Sequence, residues 1–417
     1  MSDRRLAHRH HDPVARAGRP RRQRERGAVL VHVSAGLVAI MAFSALVVDY
    51  GVMWVARRQA QNAADAGALS AGVSLSFVNP DDRTLATNSA LQTARLNRVW
   101  DAAPDVTAAD VTYPTCPAGA PGVAGTCVQV DVFRNQRGGG NPLPTFFGQL
   151  VGLTRQGVRA TATAQLLVGD TSDCVKPFAI PDKWQELRPV PKTWQTTDTF
   201  ERYVQNGRNR GQVLVPADVY TPPTTGSPGT GFSLPTDYGL QLILKQGNPG
   251  DALAPGQFQP VVINPVEGPG GSNYRDNIAT CDPTPIGPGT VLQSEPGNMI
   301  GPTRQGVADL IALDPSAHWN PSANGGRGAP AGGCQSTGAC SRSPRLVAVP
   351  VFSPDVFDLG RSSGRIDITV VNVVGVWLEG LQGNDVIGYL THYPSLTPGT
   401  TTVGASSSFV RTVILVR

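Results

Sequence analysis

The hydrophobic pattern of the chain begins with one uninterrupted block. From Ala28 to Val48, AVLVHVSAGLVAIMAFSALVV, no residue carries a charge. A helix of that length spans about 30 Å, the thickness of a bilayer's hydrocarbon core. The pattern predicts a membrane-spanning helix over 28–48. Helical periodicity then continues: Val48, Val52 and Val55 extend an apolar stripe, and ARRQAQNAADAGALSAG supplies strong helix formers. Ala60, Ala63, Ala64, Ala66, Ala68 and Ala71 keep this stretch slim. A helical extension over 49–77 is predicted, ended by Asn79-Pro80.

The period then shortens. A second helix is predicted over Arg83–Val99, with Leu85, Leu91, Ala94 and Leu96 on its apolar face. Val106, Ala108, Val111 and Tyr113 predict a strand, and Val128, Val130 and Val132 alternate with Gln129 and Asp131 in another. Thr145–Val151 reads as a short helix and Gly157–Val168 as a long alternating strand, making a small α+β domain over 78–168. Beyond it, loops such as Thr221–Gly231, Gly247–Gly256 and Asn320–Gly333 separate short strands at Gln212–Val215, Gly239–Leu244 and Gln259–Ile263. Thr303–Leu313 reads as a helix with Val307, Leu310 and Ile311 inward, and Arg345–Val351, Arg365–Leu378, Asp385–Tyr389 and Phe409–Val416 are four β-rich runs. The expected fold class is α+β: a long N-terminal transmembrane helix, a small α+β domain, then a β-rich domain over 169–417 with long Gly/Pro loops.

Composition supports this division. The 417 residues include 47 Gly and 36 Pro, too many for an all-α protein or a helical solenoid. The net charge is +4, but the tail of residues 1–27 holds nine Arg against Asp3, Asp12 and Glu25, which leaves the remainder slightly acidic. A nucleic-acid binder needs a basic patch on its folded part, so that class is excluded. The tail instead acts as a topology signal. Within about 15 residues after the apolar block the only basic residues are Arg57 and Arg58, so the positive-inside rule puts the N-terminus in the cytoplasm and the body outside. A cleaved signal peptide has a shorter apolar core followed at once by a small-residue site. Here Ala64-Asp65-Ala66 lies far past the block, so the anchor is expected to stay uncleaved and single-pass.

All six cysteines fall on the outer side of the anchor, where an oxidising compartment lets them pair. Six cysteines allow 15 connectivities. Cys116 and Cys127 bracket a Pro/Gly-rich link between two strands and form the best single candidate. Cys334 and Cys340 come next by proximity, which leaves Cys174 and Cys281. With no C-x-x-C and only His318 and His392 outside, a zinc site is not expected.

Three runs carry a family resemblance: Arg26-Gly27-Ala28-Val29, then Val48-Asp49-Tyr50-Gly51, then Arg57-Arg58-Gln59-Ala60-Gln61-Asn62-Ala63-Ala64-Asp65-Ala66. This pattern over residues 24–75 resembles the N-terminal module of the TadE/TadG-like pilus-assembly proteins of the bacterial tight-adherence (Flp pilus) machinery. Gly27, Asp49, Arg57, Arg58, Gln61, Asn62 and Asp65 are the motif positions. Looser likeness extends through Phe146-Phe147-Gly148 and Val158-Arg159-Ala160-Thr161-Ala162-Thr163-Ala164. The resemblance implies an anchor in the bacterial cytoplasmic membrane, an extracytoplasmic body and a part in pilus assembly without catalysis. Pseudopilin members carry a Glu five residues after the cleavage Gly; here that position is His32, and pseudopilin-style processing is not implied. Longer members carry a D-x-S-x-S metal site; the nearest run here, Asp170-Thr171-Ser172-Asp173-Cys174, ends in Cys.

Sites for chemistry are scarce. Gly138–Gly140 fits neither phosphate-loop pattern, the acidic residues are dispersed, and no motif sets a nucleophile beside a histidine. Trp184, Trp194, Trp319 and Trp377 read as buried packing. No catalytic, cofactor or metal residue is expected. The favoured function is a non-enzymatic protein that anchors or scaffolds a Flp-type pilus or secretion apparatus. The competing one is a membrane-tethered extracytoplasmic enzyme or ligand-binding protein with its site in 169–417. Expected partners are the membrane, pilus or secretion-machinery proteins and a second copy of the chain. Ala35, Ala39 and Ala42 put small side chains on one face of the span, where close helix packing is expected. Outside, Ala60, Ala63, Ala64 and Leu69 continue a narrow surface, for a partner or for packing on the chain's own first domain.

Overall fold

A computed structural model describes residues 25–76, 83–116, 127–188, 193–247, 250–340, 342–359, 366–397, 399 and 402–416. The chain forms two compact units. One holds the helix up to Trp54 together with Leu143–Gln156, and the other holds Val55–Pro142 and Gly157–Arg417. The Arg-rich tail before Glu25, the helix stop at Asn79-Pro80 and the link between the first two cysteines lie outside the described residues.

A single α-helix, Glu25–Leu75, begins in the first unit and enters the second at Val55. No proline interrupts it. In the first unit its side chains from Val29 to Val48 are almost all exposed. The same unit contains a small antiparallel ladder, Leu143–Pro144 against Arg155–Gln156, closed by a 3-10 turn over Gly148–Val151. Gly152 comes next at φ +85°, a left-handed position that suits glycine. The short helix expected over Thr145–Val151 is thus reduced to that 3-10 turn.

In the second unit the helix lies against a five-stranded sheet. Its strands run in the order Val111–Thr112, Cys127–Arg134, Val158–Gly169, Val410–Val416 and Tyr393–Ser395. Alternation holds here: Val128, Val130 and Val132 are buried with Ala160, Ala162 and Ala164. Ala56, Ala60, Ala63, Ala64, Ala68 and Ala71 on the helix are fully buried, as are Ala90 and Ala94 of the second helix, Thr84–Leu96. At Gly72 a β-carbon would fall 2.6 Å from Val413 Cγ1 and 3.5 Å from the Ala164 side chain, so only glycine permits this approach. The strand expected over Val106–Tyr113 is mostly replaced by a 3-10 turn, Ala108–Asp110. Thr107 caps it, its N–H and hydroxyl both donating to Asp110 Oδ2 at 2.9 and 2.7 Å.

A second sheet has seven strands in the order Leu346–Phe352, Phe178–Pro181, Gln257–Val262, Gln241–Gln246, Asp385–Thr391, Asp367–Gln382 and Val291–Ser294. Leu346–Phe352 also pairs with Asp367–Gln382, which closes the circuit. Every residue of Leu346–Phe352 is buried, as its continuous apolar run LVAVPVF requires of a strand covered on both faces. Val347, Val349 and Val351 enter a core with Phe178, Leu242, Phe258, Tyr274 and Val307. Leu346, Ala348 and Phe352 join the other core, with Trp184, Phe200, Trp377 and Tyr393. Helices Gly271–Ala279 and Ile300–Ala312 cover the first core. They meet at Gly306, where a β-carbon would lie 2.8 Å from Ile278 Cβ. Gln212–Val215 is not a strand: Val213 makes one isolated bridge, to Tyr203. The C-terminal strand leaves this region to pair with Val158–Gly169, Val413 opposite Leu166.

Candidate functional site

The motif residues sit along one helix. Asp49 stands directly after the last uncharged residue of the apolar block, and its carboxylate accepts backbone N–H groups from an excursion nearly a hundred residues away. Phe146 N lies 2.7 Å from Oδ1, and Phe147 N and Gly148 N lie 3.1 and 2.6 Å from Oδ2. The Asp49 carbonyl accepts from Gln156 Nε2 at 3.3 Å, and the same amide reaches the Pro144 carbonyl at 3.1 Å. Thr145 Oγ1 donates to the Leu153 carbonyl at 2.7 Å and Gln149 Nε2 to the Thr145 carbonyl at 2.8 Å. Backbone groups of the excursion are thereby satisfied without a larger sheet.

Further along the helix, Gln61 Nε2 donates to Asp65 Oδ1 at 2.8 Å, one turn on, and to the Thr161 carbonyl at 3.2 Å. The motif amide therefore ties the helix to the strand Val158–Gly169. Gln59, two residues earlier, accepts the Trp100 N–H at 2.8 Å. Arg57, Arg58 and Asn62 are exposed. Gly27 has open space around its α-carbon, and Ala35, Ala39 and Ala42 are exposed along the apolar block. For the alanines that follow the apolar block, the structure selects packing on the chain's own body over a partner surface. Ala60, Ala63 and Ala64 are fully buried within the chain's own second unit, so they offer no surface to a partner. Their small size serves close packing on the sheet.

The model of the Tad family, Flp pilus-assembly TadE/G-like, matches residues 27–74. Residues 27–74 are a Tad-like module. No curated protein and no solved structure matches the chain. The Tad-like module coincides with the continuous helix, which is a candidate membrane span by length and apolar composition. Its Asp49 and Gln61 each hold a segment distant in sequence, a role that motif spacing alone does not show.

In the β-rich region the dispersed aspartates share one task. Asp182, fully buried, accepts the Phe232 and Lys183 N–H groups at 2.7 and 2.9 Å and the Tyr220 hydroxyl at 3.0 Å. Desolvation pushes its carboxyl up to about 6, only partly offset by those donors. Asp218 accepts from Leu187 N at 2.8 Å and Glu201 N at 2.7 Å, and Asp358 from Tyr203 N at 3.1 Å. Asp170 accepts both the N–H and the hydroxyl of Thr402, at 2.6 and 2.8 Å. These carboxylates staple long Gly/Pro loops by taking up backbone donors that no strand partner satisfies. Burial likewise pulls the Lys176 amine down to about 7 and the His392 imidazole to about 3.

Cys116 is joined to Cys127, Cys174 to Cys281 and Cys334 to Cys340. Cys174 ends the run that resembled a metal site; with its sulfur in a disulfide and Asp170 engaged by Thr402, that run is structural. No group of three or more His, Cys, Asp or Glu suited to a metal ion occurs among the described residues. Trp184, Trp319 and Trp377 are buried, and Trp319 stacks on Tyr389 at 4.8 Å. A cleft of about 170 Å³ between Ala102–Asp105, Arg134, Asn135 and Gly140–Asn141 is smaller than the sites that enclose metabolite-sized ligands.

Proposed function

We propose that this chain is a non-enzymatic, single-pass protein of the bacterial cytoplasmic membrane that anchors or scaffolds a Flp-type pilus or its secretion apparatus. The observation that carries this reading is the one helix that is exposed and apolar through the first part of its Tad-like module and then built into the body by buried alanines. Such a helix joins span and body with no intervening linker, as suits an anchor. The Arg-rich flank supports a cytoplasmic N-terminus. The exposed Ala35, Ala39 and Ala42 support close contact with other membrane helices, from pilus or secretion-machinery proteins or from a second copy.

The test uses the intact protein in its own membrane. A tag at residue 2 should stay with the mature chain, and protease added outside should remove the body while sparing the tag. Crosslinking and then purification should recover pilus-assembly components. A soluble mature chain beginning near Ala66, or recovery of the protein with none of those components, would refute the proposal.

A further inference from the structure

The excursion Leu143–Gln156 does something that neither the Tad-like match nor an anchoring role requires. LPTFFGQLVGLT, Leu143 to Thr154, contains no ionisable residue. Three of its large apolar side chains face outward, Phe146 55% exposed, Phe147 43% and Leu153 62%, beside the exposed Gln149, Thr154 and Arg155. Hydrophobic groups of that size in water are a liability unless something covers them.

We infer that this excursion is a foot that rests in the headgroup layer of the outer leaflet, with Phe146, Phe147 and Leu153 in lipid. The inference rests on the reading of 28–48 as a membrane span. Depth carries the argument. Asp49 stands at the outer end of the uncharged block, and the hydrogen bonds from Phe146, Phe147 and Gly148 hold the foot's backbone at that level. The polar layer on each side of the hydrocarbon is roughly 5–8 Å thick. Side chains of phenylalanine length pinned there reach the boundary between headgroups and acyl chains. Tyr50 and Trp54, both exposed on the same helix, fall at the depth of an interfacial aromatic belt.

The polar chemistry agrees. Backbone N–H groups near lipid are costly when unpaired. Here the three that lead the foot are taken up by Asp49, while Gln149, Gln156 and Thr145 bond carbonyls within the excursion. The foot thus presents Phe146, Phe147 and Leu153 with these backbone groups paired, and its exposed Gln149, Thr154 and Arg155 suit the headgroup layer. A lipid surface is the occupant favoured over a protein because the foot is continuous with the exposed apolar span and is fixed to its end.

Site-directed spin labelling tests this. The described cysteines are all disulfide-bonded, so an introduced cysteine is the reactive thiol. The full chain carrying Phe147→Cys is labelled and placed at low density in phosphatidylethanolamine–phosphatidylglycerol vesicles, with Leu37→Cys marking the span and Val266→Cys marking the body. At Phe147 the ratio of accessibility to oxygen over a water-soluble nickel chelate should exceed that at Val266 several-fold and approach that at Leu37. Adding Asp49→Ala should return the Phe147 ratio toward the Val266 value; intact disulfides and protease resistance check that this variant has folded. A lipid-exposed Leu37 with a water-exposed Phe147 overturns the foot alone. A water-exposed Leu37 overturns the span and the foot together. A Phe147 label shielded from both reagents overturns lipid as the occupant in favour of a protein contact.

Discussion

Two stretches of one helix carry the same residue type to opposite ends. Ala35, Ala39 and Ala42 are exposed; Ala60, Ala63, Ala64, Ala68 and Ala71 have no accessible surface. In both stretches a small side chain means that something can come close. For Ala60, Ala63, Ala64, Ala68 and Ala71 that something is the chain's own fold, as the approach of Gly72 to Val413 on the sheet illustrates. Ala35, Ala39 and Ala42 are exposed, and under the proposed membrane span they would serve contact with another helix, since small side chains permit close packing in lipid. A slim helix face is therefore a statement about packing distance, and the location of the partner decides whether it serves stability or assembly.

The same substitution in the two stretches separates these roles. Ala64→Leu adds three carbons where there is no room, and should cost the body about 2 kcal/mol. Thermal unfolding would register that as a lower Tm, and an unchanged Tm would break the comparison at its firmer end. A pH-dependent effect comes from Asp182. Its carboxyl is raised from the ordinary value of 3.8 to about 6 by burial, so the folded state holds its proton more tightly than the unfolded one. The stabilising contribution is complete below about pH 4 and is lost as pH rises through 6. Asp182→Asn should flatten this part of the stability–pH profile of the body; an unaltered slope between about pH 4 and 6 would show that another group is responsible. The smallest thermodynamic effect belongs to the span. Ala35→Leu with Ala39→Leu should leave insertion and Tm unchanged, since Leu suits lipid, yet reduce copurification of membrane partners. Full recovery of partners at normal expression would remove the assembly role from that face.

Legibility tracked the range of each interaction. The strands around Val130, Ala162 and Val347 were visible because alternation and apolar runs are local, and so was the helix Ile300–Ala312. Val106–Tyr113 misled because β-like spacing there competes with a Thr107–Asp110 cap, and the T-x-x-D pattern was the available signal. Gln212–Val215 has strand-forming residues but no neighbouring strand to pair with beyond one bridge. At the candidate site, Asp49 and Gln61, and more loosely Phe146, Gly148 and Thr161, stood out through resemblance, while the hydrogen bonds that join them did not. The dispersed acidic residues were legible only as not forming a carboxylate pair. Their work as loop staples depends on which loops come together.

By itself the sequence determined the apolar span, the long helix that continues from it, the slimness of its outer stretch and the β character of the body beyond residue 168. Each of these is set by side chains within a few turns or a few residues of one another, and by transfer energies that need no partner. Tertiary structure decided that Leu143–Gln156 hangs on Asp49, that Val410–Val416 completes the sheet of Cys127–Arg134, and that the second sheet closes through Leu346–Phe352 and Asp367–Gln382. These pairings join segments tens to hundreds of residues apart. A strand or a carboxylate has many local equivalents in such a chain, and only the simultaneous burial of both faces and every backbone donor selects one partner among them.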